Sequence, residues 1–169
     1  MDTKVLVAYA SKYSATKEIA EKISQALSDE GFDVDVLNAG NVPDPAAYGA
    51  FIVGSASYIG QWRKEASKFV KANADTLTGK PVWIFSSGPT GEGDVDKLMS
   101  GWQCPGGLKP FIEKIKPKDI VVFHGKADPE KMNFLERWVL KRVKSGIGDF
   151  RNWDDITGWA KKIAAELKK

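Results

Sequence analysis

Lys4-Val5-Leu6-Val7-Ala8-Tyr9 runs straight into Ala10-Ser11-Lys12-Tyr13-Ser14-Ala15-Thr16, and the reading of this junction decides the fold. The first six residues are a short, nearly continuous apolar run, the pattern of a strand buried on both faces. From Thr16 to Asp29 the apolar residues Ile19, Ala20, Ile23, Ala26 and Leu27 fall on one helical stripe, which Gly31 ends. A buried strand passing through a polar turn into an amphipathic helix opens an alternating α/β pattern.

The alternation continues outward from this junction. Asp33 to Leu37 reads as a second strand, Ala50 to Gly54 as a third, Pro81 to Ser86 as a fourth and Asp119 to His124 as a fifth. Helical spacing predicts a helix over 64–76, with Ala66, Phe69, Val70 and Ala74 inward, and a short one over Leu108 to Ile115. Trp153 to Leu167 is a final amphipathic helix, with Ile156, Trp159, Ala160, Ile163, Ala164 and Leu167 on its inner face. Five buried-type strands alternating with helices predict a parallel sheet covered on both faces. Right-handed crossovers leave few topologies, among them the five-stranded order 2-1-3-4-5.

The chain has 169 residues, enough for one domain with a proper core. No apolar run approaches the roughly 18 residues needed to cross a bilayer, and the N-terminus shows no signal-peptide pattern. A single cysteine, Cys104, excludes an intramolecular disulfide framework and fits a reducing compartment. A cytoplasmic protein is therefore expected. Charge is uneven along the chain: residues 1–108 carry 10 Lys/Arg against 13 Asp/Glu, whereas residues 109–151 carry 11 against 6. The basic excess sits in one late segment.

Sheets of this order bind ligands outside the carboxyl ends of their strands, at the switch point between strands 1 and 3. Three loops end there. In the first, the hydroxyls of Ser11, Ser14 and Thr16 stand beside the free N–H groups of a helix N-terminus, which suits a phosphate monoester. An ordinary Ser/Thr helix cap uses the same residue types. The absence of Gly-x-x-x-x-Gly-Lys-Ser/Thr argues against a nucleotide triphosphatase, and the absence of Gly-x-Gly-x-x-Gly argues against a dinucleotide site. The second loop, Ser55-Ala56-Ser57-Tyr58-Ile59-Gly60-Gln61-Trp62, offers two aromatics and a glycine to a flat heterocycle; packing of Tyr58 and Trp62 on neighbouring helices is the alternative. The third, Ser86-Ser87-Gly88-Pro89-Thr90-Gly91-Glu92-Gly93, has the small residues that let backbone approach a ligand, and equally those of a plain surface turn.

Ser11-x-Tyr13-Ser14-Ala15-Thr16 after strand 1 resembles the flavodoxin phosphate loop, Thr/Ser-x-Thr-Gly-Asn-Thr. Ser11 and Thr16 match, while Tyr13, Ser14 and Ala15 depart from Thr, Gly and Asn. The departures shift the burden of phosphate binding toward backbone donors. The resemblance implies a three-layer flavodoxin-like sandwich binding flavin mononucleotide (FMN). Its cofactor contacts would come from Ser11, Lys12, Tyr13, Ser14, Ala15 and Thr16, from Ser57, Tyr58, Ile59 and Gly60, and from Ser87, Gly88, Pro89, Thr90 and Gly91. Trp62 is a further stacking candidate.

Between strand 5 and the last helix the chain inserts residues 125–151 into what reads as a single domain over 1–169. Met132, Leu135, Val139 and Val143 form a helical stripe flanked by Phe134 and Trp138, with charge from Lys131, Arg137, Lys141, Arg142 and Lys144. Such a helix suits a membrane surface, an acidic partner or an anionic substrate, or packs on the domain with a solvated basic face. The run Ser55 to Val70, the helix near Trp138 and the ending Trp153-Asp154-Asp155-Ile156-x-x-Trp159-Ala160 resemble the flavodoxin-type, quinone-dependent protoporphyrinogen dehydrogenases. That resemblance implies electron transfer from a porphyrinogen, through FMN, to a quinone at the inner face of the cell membrane. It names no substrate base, and His124, the only histidine, reads as a strand-end residue. No metal ligand set and no nucleic-acid partner are expected.

Two other readings compete. A small carrier shuttling electrons between redox proteins uses the same site, although carriers of this fold tend to be acidic and this chain has a pI near 8.8. A binding domain without flavin is the other. A phospho-receiver shares the strand order, but Tyr9-Ala10-Ser11 offers no acidic cluster at the end of strand 1.

Overall fold

The computed structural model describes residues 3–142 and 146–169. Five parallel strands form the sheet: β1 (Lys4–Ala10), β2 (Asp33–Asn38), β3 (Ala50–Tyr58), β4 (Val82–Ser87) and β5 (Asp119–Phe123). Their order is β2-β1-β3-β4-β5, as the alternation predicts. The register sets Val5 beside Val34 and Ala50, Val53 beside Ile84, and Ile84 beside Ile120. The near-continuous apolar runs of β1, β3 and β4 are explained by this order: these are the three central strands, covered on both faces, while β2 and β5 are half-exposed edges.

Alternate side chains divide between two cores. On one face Val5, Val7, Ile52, Trp83 and Phe85 pack against helix α1 (Ala15–Asp29) and the C-terminal helix Trp153–Leu167. On the other, Leu6, Ala8, Phe51, Val53 and Ile84 pack against helix α2 (Lys64–Ala72) and helix α3 (Lys109–Ile115). Ile19, Ile23 and Leu27 are wholly buried, each worth roughly 1.5–3 kcal/mol of apolar transfer.

Three expectations about boundaries are corrected. The helix predicted over 64–76 breaks at Asn73, whose side-chain amide donates to the Phe69 carbonyl (2.8 Å) before a single further turn, Ala74–Leu77. β3 continues four residues past Gly54, because Ser55 pairs with Ala10 and Ser86, and Ala56 with Ser87. β5 stops at Phe123, one residue before His124.

The inserted segment closes on itself at its base, where Lys126–Ala127 pairs antiparallel with Gly148–Asp149. Within it helix α4 spans Phe134–Arg142, and the C-terminal helix is α5. Met132 lies before α4 rather than on it. Val143 and Lys144 fall outside the described residues. The predicted stripe is not buried: no residue of α4 is, and Phe134 and Leu135 are 83% and 66% exposed.

Candidate functional site

The carboxyl ends of β1, β3 and β4 lie side by side, so the three loops read from the sequence converge on one edge of the sheet. The first loop does not form an ordinary Ser/Thr side-chain cap. Ser14 stands at the N-cap of α1 but adopts a left-handed conformation (φ 68°), and its side chain makes no capping bond. A left-handed residue leading into a right-handed helix turns successive N–H groups toward one point, an anion-binding nest. The backbone N–H groups from Lys12 through Lys17 have no acceptor among the described residues. Thr16 is buried. A helix N-terminus with several free donors, one buried hydroxyl and no carboxylate cap is the donor set a phosphate monoester requires.

The second loop is shorter than its sequence implies. Ser57 and Tyr58 belong to β3, and the chain reverses through Ile59 (φ 50°) and Gly60 (φ 68°) so that Tyr58 pairs with Gln61 and Ser57 with Trp62. Two left-handed residues in a two-residue turn suit the strand twist, but only glycine adopts them without cost. Ile59 is a β-branched residue held where such residues are rare, and it is 69% exposed. Tyr58 is half-exposed beside it. Trp62 is not available to stack on a ligand. It is buried in the second core, and its indole N–H donates to the Ser86 hydroxyl (2.8 Å). Ser86 and Ser87 are buried as the last residues of β4. Gly88 lies so near the second loop that a Cβ there would stand 2.2 Å from the Ser57 hydroxyl oxygen.

The inserted segment, which the sequence set apart from the site, reaches the first and third loops. The Gly125 N–H donates to the Pro89 carbonyl (2.9 Å) and the Gly146 N–H to the Thr90 carbonyl (3.4 Å). Against the first loop, Glu136 accepts from the Lys12 ammonium and the Tyr13 hydroxyl. Arg151, its side chain 3% exposed, donates to the Ala15 carbonyl (3.1 Å), to Glu18 (2.5 Å) and to Asp149 (2.7 Å). The hydrogen bond from Arg151 holds the Asp149 carboxyl below its ordinary range despite partial burial. Sequence reasoning missed Glu136 and Arg151 as site residues. It also missed Trp102, whose indole nitrogen lies 3.6 Å from where a Gly60 Cβ would sit.

His124 follows the end of β5, with one ring nitrogen 2.9 Å from the Gly93 carbonyl oxygen. Cys104 is half-buried, and burial pushes its thiol up from its ordinary value, away from a reactive thiolate. Among the described residues no group of three or more His, Cys, Asp or Glu side chains could hold a metal ion. No helix there is long and apolar enough to cross a membrane.

A parallel sheet of this order, with free N–H donors at the helix N-terminus after β1, is that of a doubly wound α/β domain, a class that binds its ligands at the switch point. Comparison with known proteins makes the class specific. A family model described as Flavodoxin domain matches residues 6–153, and the chain belongs to that family. It is 21% identical over 174 residues to the protoporphyrinogen IX dehydrogenase [quinone] of Escherichia coli (strain K12), covering 95% of this chain and 94% of that protein. The fold is shared with a flavodoxin from the domain Archaea (TM-score 0.66, 16% identity, 98% of this chain and 99% of that one). It is also shared with a flavodoxin of Streptococcus pneumoniae TIGR4 (TM-score 0.62, 21% identity, 96% and 99%).

Proposed function

We propose that this chain is an FMN-dependent oxidoreductase of the protoporphyrinogen dehydrogenase type, oxidising a porphyrinogen and reducing a quinone. One observation carries this reading beyond electron transfer in general. The inserted segment is pinned to the loops on both sides of the cofactor edge and turns an apolar, basic helix outward beside it. An electron carrier of this fold needs no such cover. A site for an amphiphilic substrate does, and a porphyrinogen offers an apolar macrocycle with propionates.

In this reading the N–H groups of Lys12 to Lys17 and the Thr16 hydroxyl hold the flavin phosphate. The reversal at Ser57 to Gly60 and the third-loop residues Ser87 to Gly91 bring backbone to the ring. When bound, FMN supplies the redox chemistry, accepting electrons from the substrate and passing them to the quinone. The protein's part is to bind, orient and exclude water. Exposed Phe134, Leu135 and Trp138, with Arg137, Lys141 and Arg142 around them and Arg142 stacked on Trp138 (4.8 Å), supply apolar area and positive charge for the anionic inner face of a membrane, where a quinone is met.

The test is an anaerobic assay of the FMN-loaded protein with protoporphyrinogen IX and a water-soluble quinone, read by porphyrin fluorescence. Quinone-dependent porphyrin formation is expected. A flavin-loaded protein that forms no porphyrin, yet exchanges electrons with a reductase, would establish the carrier reading instead.

A further inference from the structure

Glu136 is the third residue of α4, and two roles meet in its side chain. Its carboxylate accepts from the Asn133 backbone N–H (3.3 Å), while Asn133 accepts from the Glu136 N–H (2.9 Å). This reciprocal pair is a capping box, which starts the helix. The same carboxylate reaches out of the inserted segment to Lys12 and Tyr13, the two side chains of the phosphate loop with long-reach donors. Only 12% of the Glu136 side chain is exposed, so solvent screens its charge weakly.

A capping box needs an acceptor at this position but no charge, since glutamine serves as well. The charge acts on the loop. Lys12 is the one cationic side chain between Ala10 and Thr16. Paired with Glu136, it adds no net charge to a cradle whose remaining donors are neutral N–H groups and hydroxyls. An arriving phosphate dianion thus meets a fixed carboxylate that holds the cation it would otherwise use.

We propose that Glu136 is a tethered anion that competes with the flavin phosphate for Lys12 and Tyr13, so that closure of the inserted segment on the phosphate loop lowers the affinity for the phosphorylated cofactor. The inference rests on the FMN reading of the first loop. It assigns Glu136 a role in cofactor affinity distinct from its role in starting α4. When phosphate displaces the carboxylate from Lys12, the first of the contacts holding the segment is released, while the Arg151 contacts at its base remain.

The test compares Glu136→Gln with the unaltered protein, because this change keeps the capping box and removes the charge. Binding of FMN and of riboflavin, which lacks the phosphate, is measured by quenching of flavin fluorescence at low salt and at 0.5 M salt. Tighter FMN binding by the variant is expected, by roughly five- to twentyfold at low salt, with the gain shrinking at high salt. Riboflavin binding should change less than about twofold. In a Lys12→Gln background the same substitution should give less than half the gain, since the contested cation is gone.

Unchanged or weaker FMN binding by Glu136→Gln overturns the proposal and leaves the flavin reading standing. So does an equal gain for riboflavin, which would mean that the segment covers the ring rather than competing for the phosphate site. Retained α4 structure in Glu136→Gln, checked by hydrogen exchange across 134–142, is part of the expected result, and its loss would assign the residue to capping alone. If neither protein binds FMN, the reading beneath the proposal fails with it.

Discussion

The Arg151 guanidinium, at the end of the inserted segment, stands 2.5 Å from a Glu18 carboxylate oxygen on the first turn of α1, 133 positions earlier in the chain. It also donates to the Ala15 carbonyl and stacks on Trp153 (4.6 Å). One buried cation thereby ties the insertion to the first turn of α1, next to the free N–H groups of the first loop. Arg151→Ala strips Asp149 and Glu18 of their partner, but both carboxylates are partly exposed and can rehydrate. A loss of about 1–2 kcal/mol in unfolding free energy is expected, not the larger cost of a fully buried pair. Denaturant unfolding measures it. Hydrogen exchange should meanwhile show faster opening across 126–149 and unchanged protection in β1 and β3.

Gly54 and Phe85 face each other across β3 and β4, and a Cβ on Gly54 would lie 2.0 Å from the Phe85 ring. The ring is wholly buried against Phe123 and Trp159, so it has no room to withdraw. Gly54→Ala should cost about 3 kcal/mol or more. Adding Phe85→Leu should recover part of that loss, a coupling read from a double-mutant cycle of unfolding free energies.

At the left-handed position of Ile59, Ile59→Gly should stabilise the protein by about 1 kcal/mol, through relief of backbone strain. The solvent-exposed side chain gives up little packing. A lowered melting temperature would mean that Ile59 makes a stabilising contact that offsets its strain.

The Tyr48 hydroxyl donates to Asp35 at 2.6 Å, and burial, reinforced by that bond, pushes its pKa up to about 12. A group whose pKa is raised on folding contributes stability that is fully present below its unfolded value, near 10, and lost as pH climbs through the folded value. The melting temperature should therefore fall between about pH 10 and pH 12, and Tyr48→Phe should flatten that decline. The same bond, with Lys4, holds the Asp35 carboxyl below its usual range. Its contribution is present above the unfolded carboxylate value and is lost as pH falls below about 4.

The sheet was legible because burial on both faces leaves a direct trace in sequence. Val5 to Ala8 and Phe51 to Val53 are apolar without interruption, and crossover handedness left few orders in space, the observed one among them. The three loops were legible as positions. Their internal geometry was not: Trp62 looked like a stacking partner because an aromatic near a strand end carries no mark of which way it turns. Only the pairing of Ser57 with Trp62 shows that it folds back into the core. Least legible was the insertion. Phe134, Leu135 and Trp138 suggested a packed or docking face, whereas the segment is held mainly through Glu136, Arg151 and backbone bonds of Gly125 and Gly146. Contacts spanning more than a hundred residues between polar side chains leave no periodic signal.

The flavin itself is the most direct test. The purified protein, incubated with FMN and passed through a desalting column, should retain a flavin absorption spectrum with a Kd in the micromolar range or tighter, and should bind FMN more tightly than riboflavin. A protein that emerges colourless, or one that holds the two flavins equally, would contradict the assignment of the Lys12 to Lys17 donors to the cofactor phosphate.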